Sequence, residues 1–423
     1  MSGASWPALD RAHVWHPYTQ HATAGDPIAI ARASGAYLYD PTGRPILDAI
    51  SSWWVTLHGH AHPVIAEAIA EQARTLDQVI FAGCTHEPAA RLASELAGRL
   101  PAGLERIFFS DDGSTAVEVA LKIALQYWRN RGTPRRRVAA LEHAYHGDTF
   151  GAMSASGRGL FTAAFDQQLF AVDRLPAADG EVETALERLL ADGGSDLAAV
   201  IVEPRLQGAG GMRVWSAESL RAVRRLTREH GVLLIADEVL TGFGRTGPLF
   251  ATGGAEVVPD LICLSKGLTG GLLPLGVTAA TNELFEAFAG ADRRLTLFHG
   301  HSFTANPLAC AAGRASLALL DEACAGRRAA IERAHRAGLA RLDGHPRVRR
   351  PRVLGTMAAF DLDGGRGYLD PVGPRLTRFA LDAGVLLRPL GDVVYLLPPY
   401  CVTPEELDSV YGVVARFLDT LDD

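Results

Sequence analysis

Two short stretches decide the fold: Val232-Leu-Leu-Ile-Ala-Asp237 and Leu261-Ile-Cys-Leu-Ser-Lys266. Each is a run of apolar residues, too short for a helix, that stops at a polar group. The first follows Gly231, which can end a helix capped at Ser216 with Leu220, Val223 and Leu226 on its apolar side. Fully apolar strands between helices predict an α/β chain whose mostly parallel sheet is covered on both faces. In such sheets polar groups collect beyond the carboxyl ends of the strands. Here those ends carry one carboxylate, Asp237, and one amine, Lys266.

The same texture extends from about Ala61 to Leu320. Residues 62–79 read as a helix with Pro63 in its first turn and Val64, Ala68, Ile69, Ala73 and Leu76 on one face. Residues 106–109 read as a strand. Residues 114–130 form a second helix, opened by Ser114 after Asp111-Asp112-Gly113, with Val117, Ala120, Leu121 and Ala124 on its apolar face. Val200–Val202 is a further strand, ending in Glu203-Pro204. Beyond Leu320 an Arg-rich helix over 327–342 precedes short strands near 356–361 and 393–397, the texture of a smaller α+β domain.

Composition narrows the classes of function. The chain has 423 residues, 48% hydrophobic and 21% charged, with 41 basic against 48 acidic residues and a net charge of -7. That balance offers no basic footprint for nucleic acid or an acidic membrane surface. The five cysteines, Cys84, Cys263, Cys310, Cys324 and Cys401, form no C-x-x-C pair and fit reduced thiols. Residues 1–20 lack the apolar centre of a signal peptide, and no apolar run is long enough to span a bilayer. The expectation is a cytoplasmic protein without a membrane segment.

Lys266 sits directly after a buried strand and before Gly267, where desolvation would lower the amine's pKa and free it to attack carbonyls. A partly buried structural lysine reads equally well from that stretch alone. Pyridoxal phosphate (PLP) needs a Schiff-base lysine, an acid at its pyridine nitrogen, a phosphate cup and a group stacked on its ring. Asp237 can be the acid. The helix start at Gly113-Ser114 can bind phosphate through backbone N–H groups. Tyr145 can cover the ring. Each has a plain alternative by itself: a cap or ion pair for Asp237, an N-cap for Ser114, a core position for Tyr145.

Two other patterns compete. Gly242-Phe-Gly244-Arg-Thr-Gly247 matches G-x-G-x-x-G, yet Pro248, Gly253 and Gly254 leave no room for the helix that nucleotide binding requires. His58, His60 and His62 alternate as strand-borne metal ligands would, but no carboxylate or cysteine completes a set and Pro63 opens a helix there. They read as structural, so no metal is expected.

With these residues in view, the sequence resembles the class III (subgroup II) PLP aminotransferases along nearly its full length. The general marks are L-I-A-D-E-V-L-T-G-F-G-R-T-G over 234–247 and S-K-G-L-T-G-G over 265–271. Sharper marks resemble the branch of biotin biosynthesis that moves the amino group of S-adenosylmethionine to 8-amino-7-oxononanoate. They are W-H-P-Y-T over 15–19, S-S-W-W over 51–54, A-Y-H-G-D-T-F-G over 144–151 and E-P-R-L-Q-G-A-G-G-M over 203–212. His299-Gly300 before Ser302-Phe303, N-P-L-A-C-A-A over 306–312, Arg388-Pro389 and Y-L-L-P-P-Y over 395–400 complete the set.

The resemblance implies a fold-type-I PLP enzyme, with a large domain over 55–325 and a small one made of 1–54 and 326–423, working as a homodimer with active sites at the subunit interface. It implies that Lys266 carries the cofactor and shuttles the proton, Asp237 pairs with the pyridine nitrogen, Gly113 and Ser114 hold the phosphate, and Tyr145 covers the ring. Tyr18 and Trp53 would line the substrate site together with Gly300, and Arg388 would clamp a substrate carboxylate. Where the family usually has Pro-Thr, with the threonine reaching the neighbouring subunit's phosphate, this chain has His301-Ser302. The serine keeps a hydroxyl for that contact. The alternatives are an ω-aminotransferase of diamines, ornithine or 4-aminobutyrate, a branch enzyme that takes lysine as donor, a PLP isomerase or decarboxylase, and a non-catalytic PLP-binding or structural paralogue.

Overall fold

The computed structural model describes residues 5–421; the first four and last two residues of the expected small domain lie outside the described residues. Seven strands build the central sheet: β1 (Leu104–Ser110), β2 (Arg137–Leu141), β3 (Asp173–Leu175), β4 (Leu197–Val202), β5 (Leu233–Asp237), β6 (Leu261–Leu264) and β7 (Gly276–Thr281). Their order is β1-β7-β6-β5-β4-β2-β3. The five strands from β6 to β3 pair in parallel, as the unbroken apolar runs predict. β7 was not foreseen. It runs antiparallel to both neighbours, β6 and β1. The link between β6 and β7 is too short for the helical crossover that a parallel return would need.

Both faces of the sheet are covered. Ile235, Leu261 and Cys263 pack with Val117, Ala120 and Ala124 of the helix Gly113–Asn130. Leu234, Val200 and Val202 face the other way, onto Leu186 and Leu190 of the helix Glu181–Gly193 and Leu220 and Val223 of the helix Ala217–Glu229. Alternation along each strand thus places successive residues in two different cores. Each leucine, isoleucine and valine among these is worth about 1.5–3 kcal/mol of burial, so the strand ends at Asp237 and Lys266 sit on a stiff platform.

Two local expectations are corrected. The helix after β1 starts at Gly113, and its N-cap is Asp112, not Ser114. Asp112 accepts the Thr115 N–H at 2.8 Å while the Thr115 hydroxyl accepts the Asp112 N–H at 3.0 Å, a reciprocal cap that a serine at 114 would not complete. The helix at 62–79 spans Pro63–Thr75 and buries only Ile65; Val64 and Ala73 face outward. It packs chiefly on the helix Pro307–Ala318, which selects a narrower face than the apolar pattern suggests.

The chain ends fold together. Strands Arg32–Ser34, Tyr37–Tyr39 and Pro45–Asp48 form a sheet completed by Val385–Leu386, which pairs in parallel with Pro45–Asp48. Val348–Leu354, Met357–Leu362 and Val393–Leu396 form a second, antiparallel sheet beside the helices Glu322–Leu342 and Pro404–Asp419. Residues 242–247, the G-x-G-x-x-G run, form successive turns with no helix, and Arg245 among them is buried. His58 Nε2 lies 3.2 Å from Ser316 Oγ, and His60 Nε2 lies 2.8 Å from Asp48 Oδ2. Among the described residues no helix is long and apolar enough to cross a membrane.

Candidate active site

A cavity of about 420 Å³ opens at the carboxyl ends of the strands, lined by Asp111 to Ser114, Tyr145 to Gly147, Glu203, Asp237 and Lys266. Register explains the pairing of acid and amine. Asp237 aligns with Cys263 across the β5–β6 ladder, so Lys266 emerges three residues further along the neighbouring strand. Lys266 takes a left-handed backbone conformation, φ 41°. A non-glycine residue held there costs about 1–3 kcal/mol, a strain typical of functional positions. Its Nζ lies 4.9 Å from the centre of the Trp54 ring. Burial pushes the Lys266 ammonium's pKa down, while the charges of Asp237 and Glu203 pull it back up. An amine so placed is easier to strip of its proton than an exposed lysine.

Asp237 is buried and fully engaged on both oxygens. Oδ2 lies 2.6 Å from His146 Nδ1, and Oδ1 accepts the Val239 N–H at 3.1 Å. Glu203, at the end of β4, accepts N–H bonds from Tyr145 at 3.0 Å and Gly208 at 3.1 Å. Burial raises its pKa to about 7, opposed by His146 and aided by the Asp237 charge.

The opposite wall is a helix start. With Asp112 as cap, the Gly113 and Ser114 N–H groups have no partner within the helix and face an anion-favouring dipole. The backbone here is too close-packed for side chains. A Cβ on Gly113 would lie 2.6 Å from Val239 Cγ1, and one on Gly147, φ 135°, would lie 2.1 Å from Ser114 Oγ.

Tyr145 leads out of the cavity to an aromatic cluster. Its hydroxyl lies 3.3 Å from that of Tyr18, which donates to Asp148. Burial raises the pKa of both phenols, that of Tyr18 to about 12. The Tyr18 ring meets Trp53 edge-on at 5.4 Å and Phe161 at 5.8 Å, and Phe161 meets Tyr368 at 4.7 Å. The Arg388 guanidinium lies 4.6 Å from the centre of the Trp53 ring. Trp53 is held out by an unusual turn: Ser51, Ser52, Trp53 and Trp54 all have positive φ, from 43° to 75°. Such a conformation costs roughly 1–2 kcal/mol per residue.

The structure therefore gathers Lys266, Asp237, Tyr145, Gly113 and Ser114 around one cavity and sets Tyr18, Trp53 and Arg388 at its mouth. It does not bring Gly300, His301 or Ser302 to that cavity. His301 Nδ1 accepts the Phe303 N–H at 3.2 Å, its Nε2 lies 3.9 Å from Asp111 Oδ1, and the Ser302 carbonyl accepts from Gln78. Four neighbours carry no role in the sequence reading: His146, Glu203, Phe161 and Tyr368. His146 follows Tyr145 directly and Glu203 ends an apolar strand, so both had a local signal. Phe161 and Tyr368 had none.

These residues fit PLP. The cavity holds a desolvated amine for a carbonyl carbon, a buried carboxylate for a ring nitrogen and an unpaired helix start, closed in by glycines, for a phosphate. The aminotransferase class-III family pattern matches residues 18–418. The chain belongs to the class III aminotransferases. A relative from Synechococcus elongatus called adenosylmethionine-8-amino-7-oxononanoate aminotransferase is 53% identical, over 97% of this chain and 99% of its own. One of the same name from Mycobacterium leprae is 44% identical, over 97% and 95%. The solved enzyme of that name from Methanocaldococcus jannaschii superposes with a TM-score of 0.93 at 33% identity, covering 98% of each chain. A PLP-bound amine transaminase from an uncultivated Pseudomonas species superposes at 0.89 with 33% identity, over 96% of this chain and 98% of its own. The fold of this class III aminotransferase is accordingly the fold-type-I α/β arrangement expected from its motifs.

Proposed function

We propose that this class III aminotransferase uses PLP to move the amino group of S-adenosylmethionine to 8-amino-7-oxononanoate, giving 7,8-diaminononanoate in biotin biosynthesis. The observation that carries the reading is Arg388 resting on Trp53, which also meets Tyr18, whose hydroxyl lies beside that of Tyr145 in the lining of the Lys266 cavity. Both substrates bear a carboxylate, which a guanidinium can grip with two parallel bonds. The donor also bears an adenine, which suits the faces of Tyr18, Trp53 and Phe161. Near full-length similarity to enzymes named for this reaction supports the same assignment.

The cofactor supplies an electron sink, taking up the electron pair released when the substrate's α C–H bond breaks. The chain's own residues do the rest. Gly113 and Ser114 would hold the phosphate through their N–H groups. Asp237 would hold a proton at the ring nitrogen, and Tyr145 would cover the ring. Lys266 Nζ would anchor the cofactor and, when free, serve as the base that takes the donor's α-proton. Water would release the keto product and leave the amino group behind, and 8-amino-7-oxononanoate would enter with its carboxylate on the same Arg388. Its ketone oxygen would leave as water as the amino group is taken up, and Lys266 Nζ would return a proton to that carbon, a two-stroke cycle with ping-pong kinetics.

Borohydride reduction followed by peptide mass spectrometry tests the anchor. The PLP-sized adduct is expected on the peptide that contains Lys266 and is lost in Lys266→Ala. An adduct on another lysine would overturn the assignment.

The working unit in this reading is a homodimer in the cytoplasm. Phe298 and Phe303 flank Gly300 to Ser302 and expose 76% and 64% of their surface; Ile80, two residues after the Gln78 that donates to the Ser302 carbonyl, exposes 67%. A partner subunit covering that apolar patch would bring Ser302 to its neighbour's phosphate. A monomeric mass by light scattering would contradict this.

A further inference from the structure

A second, smaller cavity adjoins the one that holds Lys266. It measures about 200 Å³ and shares Tyr145, Gly147 and Ala209 with its larger neighbour. Phe161 and Tyr368 form its aromatic wall, their rings 4.7 Å apart and nearly perpendicular at 80°. Phe161 also meets Tyr145 edge-on at 6.5 Å. Tyr368 is exposed, so the wall is open to a guest.

Tyr368 is nevertheless held in place. Gly391 packs so tightly beneath it that a Cβ there would run into Tyr368 Cα and the Gly367 carbonyl. Asp392 Oδ2 accepts the Gly367 N–H at 2.9 Å. Asp370 accepts the Arg366 and Val372 N–H groups at 2.8 and 2.9 Å. Gly391 and Asp392 follow Arg388 by three and four residues. One braced segment thus carries Arg388 and supports Tyr368.

We propose that Phe161 and Tyr368 are specificity-determining residues that receive the adenine of the amino donor and leave the acceptor, 8-amino-7-oxononanoate, almost untouched. The inference rests on the functional reading above and adds to it the residues that tell the two substrates apart. Both substrates bring a carboxylate and react beside Lys266, so discrimination has to use what they do not share. In the donor that is a flat heteroaromatic ring; in the acceptor it is an aliphatic chain. Two perpendicular rings offer a flat guest one face to stack on and one edge to meet, a gain beyond buried area that requires the guest's own π-face. An aliphatic chain gains contact area alone. The cavity beside this wall continues from the Lys266 cavity through Tyr145, which suits a substrate whose reacting end and ring lie at opposite ends of one molecule.

The two half-reactions can be read apart, because in a ping-pong cycle kcat/KM for each substrate reports its own half. Phe161→Leu and Tyr368→Leu keep apolar bulk and remove the ring, while Tyr368→Phe keeps the ring. In both leucine variants kcat/KM for S-adenosylmethionine is expected to fall about 10-fold, and that for 8-amino-7-oxononanoate to stay within about 2-fold of wild type. Tyr368→Phe is expected to match wild type for both. Adenosine, which has the ring but no amino-acid group, is expected to bind the PLP-loaded protein in a calorimetric titration, and about 10-fold more weakly in the leucine variants. Tyr368 is exposed, so its leucine variant is expected to melt with wild type. An equal fall for both substrates, no fall for S-adenosylmethionine, or adenosine binding that the leucine variants leave unchanged overturns the inference. A wild type that binds adenosine through this pair yet takes no amino group from S-adenosylmethionine would sink the functional reading and leave the adenine wall standing.

Discussion

Arg388 makes no ion pair among the described residues and instead sits over Trp53, its guanidinium carbon 4.6 Å from the ring centre. A cation left without a carboxylate at the mouth of a cavity is poised to accept one. The aromatic face orients its plane and leaves its N–H groups open. Removing it should therefore affect both half-reactions. In Arg388→Ala, KM for each carboxylate substrate should rise about 10- to 100-fold, while PLP content stays that of wild type. A rise for only one substrate would show that the two carboxylates bind at different places.

Gly147 tests the fit of the phosphate wall. An alanine there would meet Ser114 Oγ at 2.1 Å and Ser114 Cα at 2.8 Å, at a φ of 135° that side chains avoid. The backbone of the helix start must yield. Gly147→Ala is expected to weaken PLP binding at least about 10-fold, measured by fluorescence titration of the apoenzyme, because the Gly113 and Ser114 N–H groups lose their alignment. Unchanged affinity would place the phosphate elsewhere.

Glu203 gives the apoprotein a pH signature. Its pKa in the fold, about 7, lies above the ordinary 4.5 because burial disfavours its charge. The folded chain thus keeps a proton that the unfolded chain releases. From this group, stability falls as pH rises between 4.5 and 7 and is level above, by about 3 kcal/mol in all. Glu203→Gln has nothing to release, so its stability relative to wild type should improve from pH 5 to pH 8. Parallel denaturation midpoints for the two proteins across that range would show that Glu203 is ionised throughout.

How much of this was legible in the sequence follows from the range of the interactions. Asp237 and Lys266 were legible because apolar runs fix β5 and β6, and parallel register then fixes the strand ends. Gly113 was legible because a glycine at a helix start has few other uses. The cap at Asp112 was not, because Asp111, Asp112 and Ser114 are all good caps and only the Thr115 partner decides among them. β7 was hidden because a six-residue run does not reveal its direction. Phe161 and Tyr368 come from distant parts of the chain, and tertiary packing alone brings them to Tyr18. His301 and Ser302 do not line the cavity of their own chain.

The most direct measurement is a donor panel. The purified protein with PLP is given 8-amino-7-oxononanoate together with S-adenosylmethionine, lysine, ornithine, a diamine or 4-aminobutyrate, and 7,8-diaminononanoate is quantified by mass spectrometry. The account expects diamine from S-adenosylmethionine at a rate well above every other donor, and none from Lys266→Ala. Diamine formed from lysine but not S-adenosylmethionine, or from no donor at all, would contradict it.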